Sequence, residues 1–271
     1  MNVREEVTAY YSTFAEETRL ASGPAQLEFE RTKAILTRVL PPPPARIVDV
    51  GGAAGAYSFW LADRGYAVHL VDVTPRLIEE ARRRNAAAAR PIASLTVGDA
   101  RALPRAEESA DAVLVLGPLY HLTDEPDRLA ALREARRVLA RGGVAGVAAI
   151  SRYASALDGL ARKLTLDPRF VQIRDRDLDN GQHRNPTGRI DYFTTAYFHR
   201  PDDLRRELAA AGFADVQVLG VEGPGWILSD FDARWADASL RRDMLDVAER
   251  LEAEPSIIGA SAHLVGVGWK R

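Results

Sequence analysis

The stretch from Arg46 to Asp72, R-I-V-D-V-G-G-A-A-G-A-Y-S-F-W-L-A-D-R-G-Y-A-V-H-L-V-D, constrains the fold of this chain more than any other. Ile47, Val48 and Val50 form a short apolar run of the kind buried on both faces of a parallel sheet, and Gly51-Gly52 ends it in a tight turn. The pattern then predicts a helix from near Gly55, with Phe59, Trp60 and Leu61 on its apolar side and Gly65 as its stop. Val68, Leu70 and Val71 make a second strand that ends on Asp72. Such a β-α-β unit aims backbone N–H groups at a ligand and sets the Asp72 carboxylate, 21 residues after Gly51, where a ribose diol would sit. A dinucleotide fingerprint G-x-G-x-x-G begun at Gly51 needs glycine where the chain has Ala53 and Ala56, which disfavours a nicotinamide dehydrogenase.

The rest of the chain extends the same alternation. Apolar and aromatic positions at helical spacing between residues 3 and 40 predict two helices broken at Ser22-Gly23-Pro24, and Pro41 to Pro44 is a stiff connector that separates this cap from the sheet. Thr74-Pro75 opens a helix with Leu77, Ile78 and Ala81 on its buried side. Leu95 to Val97 is a third strand, with Asp99 at its carboxyl end, free to accept a hydrogen bond. Asp111 to Leu116 is a central strand that delivers G-P-L-Y-H-L, and after a helix Val144 to Ile150 forms a fifth strand. A further helix from Pro201, a strand over 213–221, a helical stretch over 231–251 and a final strand in S-A-H-L-V-G-V-G-W-K complete the sheet.

Between Ser151 and Arg200 the alternation stops, and the segment is dense in turn formers, aromatics and hydrogen-bonding groups. Because it leaves the carboxyl end of the fifth strand, beside the ligand crevice of an open α/β sheet, it reads as a lid over a small-molecule pocket, with Gly181 and Gly188 as hinges. Among five histidines, His69 and His263 fall in strands as packed or rim residues, and His183 and His199 belong to the lid. His121 alone follows a central strand at the ligand end, where a neutral imidazole can take a proton from a hydroxyl, amine or activated carbon. No histidine–carboxylate spacing calls for a metal.

Composition excludes several chemistries. The chain has no cysteine, so thiolate metal sites and a cysteine nucleophile are absent, and a formal net charge of -2 gives no general attraction to nucleic acid. An N-terminus that is charged and lacks a long apolar core reads as neither a signal peptide nor a membrane anchor, which sets the expectation of a cytoplasmic protein without membrane or nucleic-acid partners.

The motif D-x-G-x-x-x-G at Asp49, Gly51 and Gly55, the acids Asp72 and Asp99 after successive strands, and G-P-L-Y-H-L followed by L-R-E-A-R-R-V-L-A-R-G-G resemble class I S-adenosylmethionine-dependent methyltransferases, in the bacterial branch that acts on small molecules. Ala53 departs from the pattern where those enzymes often carry another glycine. The resemblance implies an α/β fold, a Rossmann-like seven-stranded, mostly parallel sheet with an antiparallel terminal hairpin and helices on both faces. It divides the chain into a helical cap and proline linker (1–44), a cofactor-binding core (45–150), a lid (151–200) and a C-terminal completion of the sheet (201–271). It implies S-adenosyl-L-methionine bound by Asp49, Gly51, Gly52, Ala53, Gly55, Asp72, Val73, Asp99, Ala100 and Leu116, with the loop from Gly51 to Gly55 at its methionine portion, Asp72 at its ribose and Asp99 at its adenine. Tyr10, Tyr11 and Arg19 of the cap would serve the sulfonium or the carboxylate. Tyr120 and His121 would act on the acceptor, joined in binding it by His183, Asn185, Tyr192, Phe193, Tyr197 and His199. The implied reaction is methyl transfer to an O, N or C atom of a small molecule. The alternative is a non-catalytic adenosine-ligand-binding or regulatory protein on the same fold.

Overall fold

The computed structural model describes residues 19–271, so Tyr10 and Tyr11 lie outside the described residues. The apolar runs become β1 (Arg46–Val50), β2 (Ala67–Asp72), β3 (Ser94–Val97), β4 (Ala110–Val115) and β5 (Leu139–Ser151), all parallel, in the spatial order β3-β2-β1-β4-β5. Two short strands follow, β6 (Gln182–His183) and β7 (Ala196–His199), and then β8 (Ala214–Gly220) and β9 (His263–Trp269). β9 pairs antiparallel with β5, Val147 facing Gly266, and β8 pairs antiparallel with β9. The seven strands and the antiparallel terminal pair expected from the sequence are all present. β6 and β7 extend them to nine, because β7 joins β5 in parallel through Ile150↔Phe198 and Ser151↔His199.

Strand alternation divides the core between two faces. Val48, Val50, Val113 and Val115 point to one face, covered by Ala131, Leu132 and Ala135 of α4 (Glu125–Val138) and Leu204 and Leu208 of α7 (Pro201–Ala210). Ile47, Leu70, Ala112 and Leu114 point to the other, beneath α1 (Ala25–Val39), α2 (Ala56–Asp63) and α3 (Pro75–Ala86). Ile35 and Leu36 of α1 are fully buried there, so the helix before the prolines is a layer of the core and not only a cap. No helix among the described residues is long and apolar enough to cross a membrane.

The segment from 151 to 200 is more regular than its sequence suggests. It holds α5 (Ala154–Ala161) and α6 (Pro168–Asn180) as well as β6 and β7. α6 starts on Pro168 with the Asp167 carboxylate accepting the Arg169 N–H, and it buries Phe170, Ile173 and Asp177 at helical spacing that the intervening charges dilute in the sequence. Gly181 stops this helix in the left-handed region, φ +75°, where an added Cβ would lie 2.4 Å from the Phe198 carbonyl oxygen. It is a packed C-cap and not a hinge. The remaining helices, α8 (Phe231–Ala236) and α9 (Ala238–Leu251), are separated at Asp237, whose carboxylate caps α9 through the Ser239 and Leu240 N–H groups.

Candidate functional site

The chain leaves β1 toward β2 on one side and returns through β4 on the other, which opens a crevice beyond their carboxyl ends. Gly51 turns there at φ +71°, its N–H donating to the Val71 carbonyl at 2.7 Å, and an added Cβ would sit 2.4 Å from Cδ of Pro118. An added Cβ on Gly52 would meet Asp49 Oδ2 at 2.6 Å. The loop can therefore pack this closely on Pro118 and Asp49 only because these positions lack side chains. Ala53 keeps φ at 49°, a conformation that costs an L-residue roughly 1–2 kcal/mol. Its N–H is anchored on Asp72 Oδ2 at 2.9 Å, and the Thr74 N–H holds Asp72 Oδ1 at 2.8 Å.

Asp49 is fully buried at the base of this crevice. Its Oδ2 accepts from Ser58 Oγ at 2.6 Å, while Oδ1 has no partner among the described residues. Burial raises its pKa to about 6, with the Ser58 hydrogen bond opposing and the Asp72 charge adding to the rise. Burial also raises Asp72, against the hydrogen bonds from Thr74 and Ala53. An orphaned carboxylate oxygen and a second carboxylate with spare lone pairs fit a ligand with a cationic amino group and a hydroxyl pair, which S-adenosylmethionine carries. Val50, Val73, Ala100, Leu116 and Leu77 supply apolar walls, and Tyr57 and Pro118 close the rim. Gly55 caps α2 at φ +87° without lining the crevice. Asp99 lines it but is not free as expected. Arg101, two residues on, folds back so that its N–H, Nε and Nη2 take three of roughly four acceptor positions on the carboxylate, and its Nη1 continues to Asp127 at 2.7 Å.

A second cavity adjoins the first, and Arg19 and Tyr120 line both. Its walls carry Phe170, Tyr192, Phe193, Phe198 and Trp226, with Ile150 and Ala154 between them. Arg19 forks onto Glu28 at 2.6 and 3.0 Å, and His263 Nδ1 bonds Glu222 at 2.5 Å. Burial alone would lower His263, but the charges of Glu28 and Glu222 and the bond to Glu222 raise it to about 9. Burial would likewise raise Glu28, and the charges of Arg19 and His263 lower it to about 2. His121 lines the first cavity, its ring 4.7 Å from that of Tyr120 in an edge arrangement, and its Nδ1 donates to the Thr195 carbonyl at 3.2 Å. Burial lowers His121 to about 4, against that hydrogen bond.

Of the residues expected to bind an acceptor, Tyr120 and His121 line the first cavity and Tyr120, Tyr192 and Phe193 the second, where the Tyr192 hydroxyl is held by Asp167 at 2.9 Å. His183 reaches the second cavity, but Asp177 and the Tyr192 carbonyl, each at 2.8 Å, occupy both ring nitrogens. Asn185 ties its loop together through the Arg189 and Phe193 carbonyls and Thr187. Tyr197 and His199 line neither cavity and belong to a buried ionic cluster behind them: Arg128 stacks over the Tyr197 ring at 3.8 Å and pairs with Glu207 at 2.7 Å, and His199 Nε2 bonds the same Glu207 at 3.2 Å. That cluster also fixes the loop after β4, because Arg128 Nη1 donates to the carbonyls of Leu122 and Thr123. Sequence reasoning missed His263, Trp226, Phe170 and Asp158, which reach the second cavity from distant parts of the chain, and Tyr57, which follows the glycine turn directly.

Residues 47–143 match the family model described as "Methyltransferase domain". The chain is 36% identical over 183 residues to a demethylmenaquinone methyltransferase of Renibacterium salmoninarum, covering 67% of this chain and 71% of that protein. It is 33% identical over 178 residues to a malonyl-[acyl-carrier protein] O-methyltransferase of Geobacter sulfurreducens, covering 65% of this chain and 58% of that protein, so it spans less than two thirds of that relative's length. A Thermotoga maritima structure described as a possible histamine N-methyltransferase superposes over 99% of both chains, with a TM-score of 0.58 and 20% identity, and supports the fold alone.

Proposed function

This chain belongs to the class I S-adenosylmethionine-dependent methyltransferases, and from that premise we propose that it transfers the cofactor's methyl group to a small-molecule acceptor held in the second cavity. The observation that carries the reading is the junction of the two cavities at Tyr120 and Arg19, which brings the crevice above the glycine loop and an aromatic pocket together. S-adenosylmethionine supplies a methyl group made electrophilic by its sulfonium, so the protein's work is to align the acceptor and exclude water.

In this reading the loop from Gly51 to Ala53 and the orphaned Asp49 oxygen receive the methionine end, Asp72 the ribose, and the apolar walls at Val73, Ala100 and Leu116 the adenine. With its proton fixed on Nδ1 by Thr195, His121 keeps Nε2 as the accepting nitrogen. An imidazole held near 4 stays neutral at physiological pH and is a weak base. Taking a proton from an ammonium of pKa about 10 would be uphill by about 8 kcal/mol, so His121 serves to orient a donor on the acceptor, not to carry off its proton. Tyr120 packs against His121 and forms the wall between methyl donor and acceptor.

The test is conversion of S-adenosylmethionine to S-adenosylhomocysteine by the purified chain with small-molecule extracts fractionated by charge and polarity. Acceptor-dependent conversion that falls in Tyr120→Ala supports the reading. Cofactor binding with no conversion by any fraction would contradict it and leave a binding protein.

A further inference from the structure

Resting on the methyltransferase reading, we propose that the second cavity selects an acceptor with a flat apolar or aromatic body and an oxyanion, a carboxylate or a phenolate, which accepts a hydrogen bond from Nε2–H of His263. The body of the acceptor fits the walls. Phe170, Tyr192, Phe193 and Trp226 present ring surface, and the Trp226 indole N–H is turned away onto the Ala260 carbonyl at 2.9 Å, so its ring faces the cavity without an unmet donor.

The polar end follows from an accounting of every charged group on the cavity. Arg19 has its terminal nitrogens on Glu28, Asp158 is paired with Arg162 at 3.0 Å, and Asp191 with Arg189 at 2.8 Å. His183 has both nitrogens bonded. His263 differs: Nδ1 is committed to Glu222, with Glu28 3.8 Å away, while Nε2 has no hydrogen-bond partner among the described residues. Two flanking carboxylates keep the ring protonated at neutral pH, so Nε2 is a donor there. A charge-assisted donor favours an anionic oxygen over an ammonium, and the two other carboxylates on the cavity, Asp158 and Asp191, already have arginine partners. The position also matters: His263 is the cross-strand partner of Ile150 at the carboxyl end of β5, and Arg19 joins it to the cofactor side.

The test uses the full chain saturated with S-adenosylhomocysteine and three probes that share one ring, benzoate, benzyl alcohol and benzylamine, titrated by NMR at pH 7.5. Benzoate is expected to bind about tenfold or more tightly than benzylamine, and to shift the His263 ring resonances in histidine-15N-labelled wild-type protein. In His263→Phe the benzoate affinity is expected to fall about ten- to a hundredfold with S-adenosylhomocysteine affinity unchanged. If removal of the ring charge unfolds that variant, the wild-type resonance shift still decides the question. Benzylamine binding as tightly as benzoate, or benzoate binding that leaves His263 unmoved, would overturn the proposal, as would cofactor binding with no probe bound. Failure to bind S-adenosylhomocysteine would instead overturn the methyltransferase reading on which it rests.

Discussion

Replacing Asp72 by alanine tests the cofactor crevice and the scaffold together. The carboxylate is buried and accepts two backbone N–H groups, from Thr74 beside it and from Ala53 across the glycine loop. Thr74 is itself buried, so its N–H loses a partner that water cannot easily replace, a penalty of roughly 1–3 kcal/mol. The Ala53 N–H lies at the crevice, where water can reach it, so its loss adds about 1 kcal/mol or less. The sum, about 1–4 kcal/mol, is a substantial share of the roughly 5–15 kcal/mol that a domain commands. Cofactor affinity falls separately: the charged hydrogen bonds to the ribose are worth about 1.5–3 kcal/mol, a tenfold to hundredfold rise in Kd, and Ala53 loses the anchor that holds its left-handed backbone. Asp72→Asn retains one carbonyl acceptor for Thr74 and should fall between the two. Urea unfolding and calorimetric titration with S-adenosylhomocysteine read the two effects independently. A folded Asp72→Ala protein with unchanged Kd would show that Asp72 only braces the loop and that no ribose meets it.

Arg128→Met should cost about 3–5 kcal/mol in urea unfolding, because it strands the fully buried Glu207 carboxylate with His199 alone, and adding Glu207→Gln should recover part of that loss; a change under about 1 kcal/mol would contradict the buried ion pair. Two histidines should bend the pH–stability curve in opposite senses. His121 titrates near 4 folded and near 6.5 unfolded, so it contributes stability above pH 6.5 that is lost as pH falls toward 4; His263, raised to about 9, contributes stability present below pH 6.5 that is lost as pH rises toward 9. Unfolding series at pH 4 to 9 in His121→Phe and His263→Phe should each lack one limb, and unchanged limbs would refute the assignments. His121→Gln should lower kcat with S-adenosylhomocysteine Kd within about threefold, and a rise in that Kd beyond this would place His121 on the cofactor side.

What the sequence made legible was local. The unit from Arg46 to Asp72 declares itself because strand, turn, helix and strand follow each other within one stretch, and the crevice lies where that order sends it. Asp49, Gly51 and Asp72 line that crevice for the same reason. The second cavity is assembled from β9, α5, α6 and the turn before α8, so Trp226 and His263 carry no sequence signal that joins them to Tyr120. Polar residues in 151–200 misled for a related reason. His183 is six residues from Asp177, which pairs with it once α6 forms, and Tyr197 and His199 meet Arg128 from across the sheet. Unpaired in the sequence, these groups look available; folded, they are engaged with one another, and of the His199 ring only Nδ1 is left without a hydrogen bond among the described residues. His263 reads as a packed strand residue until Glu28 and Glu222 are seen beside it.

The central claim is that the crevice above Gly51 is built for S-adenosylmethionine, and its most direct test is calorimetric titration of the purified chain with S-adenosylmethionine, S-adenosylhomocysteine and NAD under the same conditions. The account predicts that both sulfur ligands bind with one site per chain and that NAD gives no saturable heat, because Ala53 and Ala56 stand where a dinucleotide loop needs glycine. Saturable binding of NAD together with no binding of either sulfur ligand would contradict it.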